Sequence, residues 1–94
     1  MSKTLDQFNY ISGHKYSGIN AQELARVQIE HEFKSNEWAT YGQWFSKNMQ
    51  VQKGQHGTSI MIFVPNEDDP KKPKVGYCRV FNLDQVAPLE QATE

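Results

Sequence analysis

The chain has 94 residues, 37% of them hydrophobic, and a formal net charge of −1. The length and the hydrophobic fraction predict one soluble domain with a modest core. The net charge argues against a duplex-DNA binder, which usually carries a basic stripe. Its single cysteine excludes an intrachain disulfide and fits a reducing cytoplasm, and no apolar run reaches the roughly 18 residues of a membrane-spanning helix. Aromatic residues make up 12% of the chain, so we expect some rings to be exposed.

The N-terminal third predicts an arm followed by a helix. Residues 1–12 are mixed in character and predict an N-terminal arm or a short helix. Asn20 suits a helix N-cap, because its side-chain oxygen can accept an unpaired N–H of the first turn, and Glu23 completes a capping-box spacing. Apolar residues then recur at helical spacing, which predicts a helix over about 20–33.

A second, shorter helix is predicted in the middle of the chain. Thr40 is an N-cap candidate with Gln43 at the capping-box position, so we expect a helix over about 41–48. A short strand is expected near 49–53, and the two glycines of Lys53–Gly57 predict a turn.

The C-terminal half predicts an antiparallel hairpin. Residues 58–65 and 75–82 are rich in β-branched and aromatic side chains, and the polar stretch 66–74 with its two prolines predicts an exposed loop between them. Alternation along the second strand separates two sets of residues, namely Val75, Tyr77, Arg79 and Phe81 on one face and Gly76, Cys78, Val80 and Asn82 on the other. The predicted fold class is α+β, with two helices packed on a small antiparallel sheet.

The polar residues form no recognisable catalytic or metal-binding pattern. His14, His31 and His56 lack the spacing of metal ligands, and His31 has no second histidine four residues later. Cys78 has no cysteine partner or evident activating neighbour and suits a core position. We therefore expect no enzyme activity, no metal and no cofactor.

Two separate regions combine rings, amides, lysines and glycines. They are Gly13–Asn20, and Trp38–Gln43 together with Val51–Gly57. Stacking rings, amide side chains and a few cations are what a protein needs to hold unpaired nucleic acid. Some of these residues also suit structural roles, Trp38 in the core and Asn20 as a cap, and the sequence leaves both interpretations open.

Four motifs follow one another along residues 13–86. They read GHKYSGIN at 13–20, WATYGQ at 38–43, VQKGQHG at 51–57 and VFNLDQ at 80–85. In this order they resemble the N-terminal single-stranded-DNA-binding domain of the ArdC antirestriction family, and the related domain of plasmid TraC-type primases. The chain departs from the family pattern at Ser17 and Glu37, where arginine is common, and at Gln55-His56, where lysine is more common.

The residues predict an N-terminal arm (1–12) and a frayed tail (89–94), and the resemblance implies an ArdC N-terminal-like domain over 13–88. It implies largely sequence-independent binding of single-stranded DNA by a stand-alone cytoplasmic module of a mobile element, plasmid or phage, in antirestriction or protection of a transferred strand. Full-length members of the family carry a C-terminal metalloprotease-like domain with an HExxH helix. That motif is absent from these residues, so the resemblance implies the binding module and no protease.

The predicted nucleic-acid-binding residues carry a cation, a flat ring or a hydrogen-bonding group. Phosphate contacts are assigned to Lys15, Lys53 and Arg79, and stacking is assigned to Tyr16, Trp38, Tyr41 and Phe81. The remaining predicted site residues are polar, and they are Ser17, Asn20, Thr40, Gln43, His56, Asn82 and Gln85.

An alternative function is a protein-interaction module that inhibits or recruits a host defence or replication protein. The near-neutral charge and the missing arginines favour it. The two functions predict different partners, single-stranded DNA or a host protein, and neither involves a membrane. The sequence leaves the oligomeric state open.

Overall fold

The computed structural model describes residues 6–89 and has an α+β architecture. Its helices are α1 (Gly18–Glu30) and α2 (Tyr41–Ser46), and a 3-10 turn spans Leu83–Gln85. Its strands are β1 (Phe8–Asn9), β2 (Glu37–Thr40), β3 (Met49–Val51), β4 (Thr58–Val64), β5 (Lys74–Asn82) and β6 (Val86–Pro88). Within the described range, neither helix is long and apolar enough to cross a membrane.

The main sheet has four strands in the order β1-β2-β5-β4. The hairpin predicted from residues 58–65 and 75–82 is confirmed, since β4 and β5 pair antiparallel, and β5 also pairs antiparallel with β2. The sheet is mixed rather than purely antiparallel, because β1 pairs parallel with β2. The prediction missed this because it treated residues 1–12 as an arm or a helix, whereas Phe8 and Asn9 form the edge strand.

The strand predicted near 49–53 exists but lies outside the main sheet. It is β3, and it pairs antiparallel with β6 in a separate two-stranded sheet. Of the predicted tail, Leu89 donates its backbone N–H to the Asn48 carbonyl oxygen at 2.9 Å. Residues 90–94, like residues 1–5 of the predicted arm, lie outside the described residues.

The inner face of the main sheet packs on α1. Leu24 and Val27 of α1 are buried against Trp38 of β2, Ile60 of β4 and Val80 of β5. The predicted alternation of β5 is thereby confirmed, because Val80 faces this core while its neighbours at odd positions face the other way.

The outer face carries a second, smaller core. Ala39, Trp44 and Val86 form a buried cluster, with Phe81 of β5 packed against it. Because successive residues of a strand point to opposite faces, Trp38 and Ala39 reach different cores. Helix α2 and the β3–β6 pair therefore cover the end of the outer face near Phe81.

Helix α1 begins earlier and ends earlier than the predicted range of 20–33. Its N-cap position is Ser17, whose side chain makes no capping hydrogen bond. It ends in a Schellman motif, because Glu32 has a positive φ of 57° and the Phe33 N–H donates to the Gln28 carbonyl oxygen at 2.9 Å. Glu32 thus turns the chain out of the helix before residue 33.

The predicted capping role of Asn20 is wrong. Its Nδ2 donates to the Met61 carbonyl oxygen at 2.7 Å, and its Oδ1 accepts from the Met61 N–H at 2.8 Å. Met61 lies on β4, which is the edge strand opposite β1, where backbone groups on one side lack a partner strand. The Asn20 amide therefore replaces a short piece of strand and ties α1 to the sheet edge.

The turn that follows β3 lies directly against β5. A Cβ atom built on Gly57 would stand 3.0 Å from Cζ of Phe81 and 3.1 Å from Cβ of Arg79, which is closer than side-chain atoms normally approach. The absence of a side chain at Gly57 is therefore what allows the turn to contact the outer face of the sheet.

Replacing Asn20 with Ala should lower the free energy of unfolding by about 1–3 kcal/mol, because two hydrogen bonds to Met61 are lost. Ser17→Ala is the matched control, since Ser17 holds the N-cap position without a capping hydrogen bond. Urea denaturation of both variants measures the effect. Equal stability of the two variants would contradict the assigned role of Asn20.

Replacing Gly57 with Ala should lower the free energy of unfolding by about 1–3 kcal/mol through overpacking against Phe81. Gly42→Ala is the control: a Cβ at Gly42 meets nothing within 4 Å, and alanine is the better helix former by about 0.5–1 kcal/mol. The midpoint of thermal or urea unfolding should therefore fall for Gly57→Ala and rise for Gly42→Ala. A neutral Gly57→Ala would show that the turn adjusts freely.

Candidate nucleic-acid interface

Three of the predicted site residues are buried and have structural roles. Trp38 is 0% exposed, and its Nε1 donates to Oε1 of Gln7 at 2.6 Å. Asn82 and Gln85 are also buried. Trp38 was predicted to stack on a base, and Asn82 and Gln85 were predicted to contact base edges. All three side chains lie in the interior, so none presents accessible surface to a base.

The two buried amides organise the chain around the end of β5. Asn82 Nδ2 donates to the Ser35 carbonyl oxygen at 2.8 Å, and its Oδ1 accepts from the Asp84 N–H at 2.8 Å. Gln85 Oε1 accepts from the Asn82 N–H at 2.9 Å, while its Nε2 donates to the His56 carbonyl oxygen at 2.8 Å. Gln85 therefore links the end of β5 to the glycine-rich turn through the His56 carbonyl oxygen.

Thr40 and Gln43 form the capping box that the sequence predicts for α2. Thr40 Oγ1 accepts from the Gln43 N–H at 3.2 Å, and Gln43 Oε1 accepts from the Thr40 N–H at 3.0 Å. Asn9 Nδ2 donates both to Gln43 Oε1 at 3.0 Å and to the Tyr16 hydroxyl at 3.1 Å. Asn9 thus joins the first two sequence motifs, a role that sequence reasoning missed because the N-terminal stretch shows no periodicity.

The side of the molecule at the start of α1 is largely engaged in internal contacts. Tyr16 is half-buried against the inner core, and its burial raises the pKa of the phenol above the ordinary value of 10.0. Lys15 is exposed but pairs with Asp6 at 3.3 Å. Ser17 is exposed without a capping bond, and Asn20 is occupied by Met61.

A second group of predicted residues meets at the surface around Phe81. The Tyr41 side chain is 54% exposed, and its ring meets the Phe81 ring edge-on, with centroids 6.5 Å apart and planes at 72°. Tyr41 is placed there because Thr40 ends β2 and caps α2, while Ala39 of β2 pairs with Phe81. The pair presents one exposed ring and one half-buried ring to solvent.

Three further predicted residues lie on the elements next to this ring pair. Arg79 precedes Phe81 by two positions and so lies on the same face of β5. Lys53 and His56 lie on the turn that Gly57 brings against Phe81 and Arg79. We call Tyr41, Phe81, Arg79, Lys53 and His56 the ring-and-turn surface.

The ring-and-turn surface carries free positive charge. Lys53 and Arg79 are exposed, and neither forms an ion pair with any residue that the structure describes. By contrast, Arg26 on α1 is held by Glu23 at 2.7 Å and Glu30 at 3.0 Å. The chain from 46 to 60 contains no acidic residue, so the turn itself adds no opposing charge.

Two exposed rings on the hairpin were not among the predicted site residues. Tyr77 and Phe63 are each 72% exposed. Alternation along β5 places Tyr77 on the face of Arg79 and Phe81, and this was the signal in the sequence that could have included it. Phe63 of β4 lies opposite Val75, which only the register of the hairpin reveals.

A cleft of about 420 Å³ lies between α1 and the turn. Its α1 wall includes Glu23 and Glu30, both bonded to Arg26, and the Arg26 hydrogen bond lowers the pKa of Glu23. Arg26 lines the same cleft, so this wall carries two carboxylates against one guanidinium, and this excess of negative charge disfavours a phosphate there. On the inner face of the sheet, burial raises the pKa of the Cys78 thiol, which disfavours a nucleophilic thiolate.

Comparison with known proteins identifies relatives of this fold. A family model described as the N-terminal domain of anti-restriction factor ArdC matches residues 2–87. The Mn(II)-bound crystal structure of the antirestriction protein ArdC from plasmid R388 superposes with a TM-score of 0.81 and 32% identity over 89% of this chain. The metal-free structure of the same protein gives a TM-score of 0.69 and 31% identity over 88% of this chain. The search of curated proteins found no match.

The match extends over only part of the ArdC chains. This chain spans 35% of the Mn(II)-bound ArdC chain and 33% of the metal-free one. Residues 6–89 contain no cluster of three His, Cys, Asp or Glu side chains that fits a metal ion such as the Mn(II) of that structure. On the family match over residues 2–87 and the structural likeness at 32% identity, the chain belongs to the family of ArdC N-terminal domains.

Proposed function

We propose that this domain binds single-stranded DNA, largely without sequence preference, through the ring-and-turn surface. The observation that carries the proposal is the Tyr41–Phe81 ring pair, one ring exposed and one half-buried, next to Arg79 and to the turn that bears Lys53. Neither cation forms an ion pair with a residue that the structure describes. Rings supply sequence-tolerant affinity, because every base has a π-face, and stacking contributes roughly 1–3 kcal/mol per base.

The polar residues of the motifs favour tolerance of sequence. The amide side chains of Asn20, Asn82 and Gln85 are bonded within the fold at both their oxygen and nitrogen atoms. Reading a base requires free donors and acceptors directed at the base edge. With these amides engaged, stacking and phosphate contacts dominate the proposed interaction.

The proposed setting is a plasmid or phage, where the domain serves antirestriction or protects a transferred strand in the cytoplasm. The support is the family and the antirestriction protein of plasmid R388 that this chain resembles. We propose binding without catalysis, since the ring-and-turn surface combines rings and cations with no acid–base pair.

A protein-interaction function is the second candidate. It is favoured by Ser17 and Glu37, which stand where arginine is common in the family. Ser17 is exposed and Glu37 is partly buried, so both positions border solvent without a cation. A host defence or replication protein would then be the partner in place of DNA. Titration with an oligonucleotide separates the two functions, because only the first requires direct binding of nucleic acid.

The test is a fluorescence anisotropy titration with labelled oligothymidine over a range of salt concentrations. Tyr41→Ala should weaken binding by roughly 1–3 kcal/mol through loss of stacking, with little change in the salt dependence. Lys53→Ala should instead make the slope of log K against log salt shallower by about 0.7, the value for one phosphate contact on a single strand.

Lys34→Ala is the matched control for charge, because Lys34 is exposed beyond the end of α1 and is not one of the residues of the ring-and-turn surface. It should change neither the affinity nor the slope by a comparable amount. Absence of binding by the folded wild-type protein at tens of micromolar would reject the DNA function and leave the protein-interaction candidate. Unchanged affinity in both site variants would reject the assigned surface.

A further inference from the structure

The outer face of the β4–β5 hairpin is open beyond Phe81. Strand β2 pairs with β5 only at Val80–Asn82, and the outer core reaches no further along β5 than Phe81. The rest of this face carries exposed apolar side chains: Phe63 and Tyr77 are each 72% exposed, and Val75 is 52% exposed. No element among residues 6–89 covers them.

The open face continues directly from the ring-and-turn surface. Phe81, Arg79 and Tyr77 alternate along β5 and stand two residues apart, which is roughly 6.8 Å on an extended strand. Met61 lies opposite Tyr77 and Phe63 lies opposite Val75, so Phe63 is the diagonal neighbour of Tyr77 across the hairpin. The rings of Tyr41, Phe81, Tyr77 and Phe63 therefore form one path, with Arg79 between the second and third.

A recess of about 240 Å³ lies beside Tyr77. Its walls include Ile19 and Met61, which are apolar, and Asn20, whose amide is bonded to the Met61 backbone. Glu23 also lines the recess, but its carboxylate is bonded to Arg26 at 2.7 and 3.0 Å. The recess thus offers apolar walls next to an exposed ring and few free groups that would select one base.

The charge on this face suits a polyanion. Among the outer-facing residues of the two strands, from Ser59 to Phe63 and from Val75 to Phe81, the single charged side chain is Arg79. It lies opposite Ser59 and forms no ion pair with a described residue. A phosphate at Arg79 would be flanked by rings on both sides, at Phe81 and Tyr77.

We propose that the open hairpin face is the second half of the single-stranded DNA site, where Tyr77 and Phe63 stack on bases next to those held at Tyr41 and Phe81. This inference rests on the proposed function and extends it from one ring pair to a track of four rings. Continuity with the ring-and-turn surface and the lone cation of the face favour a nucleic acid over an apolar protein segment.

The test compares a short oligothymidine of about four nucleotides with one of about twelve, within the range that single-strand-binding domains occupy. The wild-type protein should bind the longer strand more tightly. Tyr77→Ala and Phe63→Ala should each weaken binding of the longer strand by at least about fivefold and leave the shorter strand nearly unchanged. Tyr77→Phe, which keeps a ring, should retain most of the affinity.

Ile29→Ala is the matched control, because Ile29 is 66% exposed on α1 and lies outside the track. It should bind both strands as the wild type does. Phe63 and Tyr77 are on different strands. If both variants show the same loss of binding, a structural defect confined to one strand cannot explain the result. Circular dichroism and urea unfolding establish that each variant is folded.

The outcomes distinguish this inference from the proposed function. If Tyr41→Ala weakens binding while Tyr77→Ala and Phe63→Ala bind both strands normally, the track is rejected and the DNA function stands. The open face would then suit a protein partner. If Tyr77→Ala weakens both strands equally, Tyr77 belongs to the first half of the site and the two-part track is rejected. If the folded wild type binds neither strand, both proposals fail.

Discussion

The pairing of β2 with β5 is the constraint on which the rest of the structure depends. It places Trp38 and Val80 in the inner core and Ala39 and Phe81 in the outer core, so one short ladder serves both sides of the sheet. Because β2 ends at Thr40, which caps α2, Tyr41 arrives next to Phe81. Because β2 is only four residues long, most of β5 extends beyond it and keeps an open outer face.

Buried amides connect this ladder to the surface. A buried amide costs stability unless its donors and acceptors are paired, and Gln85 meets this requirement by bonding the Asn82 N–H and the His56 carbonyl oxygen. The same bonds hold the turn that carries Lys53 and His56. Asn82 and Gln85, which the motifs suggested as contacts to bases, are therefore buried and support the interface from inside the fold. Rings and cations form the proposed interface itself.

Local patterns in the sequence were sufficient for α2, for the hairpin and for the two faces of β5. Thr40 and Gln43 are neighbours in sequence, so their capping box could be predicted from spacing alone. The role of Asn20 could not, because its partner Met61 is 41 residues away and a local cap explained the same residue equally well. Strand β1 has two residues, too few for any periodicity. Trp38 suited either a core or a stacking platform, and only its 0% exposure decided between them.

The net charge of −1 is a poor guide to the electrostatics of the proposed interface. Arg26 on α1 is paired with both Glu23 and Glu30, so this group has a net negative charge. Lys53 and Arg79 of the ring-and-turn surface form no such ion pair with a residue that the structure describes, so their charges stay available to a phosphate although the charge summed over the chain is negative. Few phosphate contacts imply a shallow salt dependence, and stacking is not screened by salt as charge pairs are. A near-neutral domain built this way would keep hold of a single strand at ionic strengths that release a purely electrostatic binder.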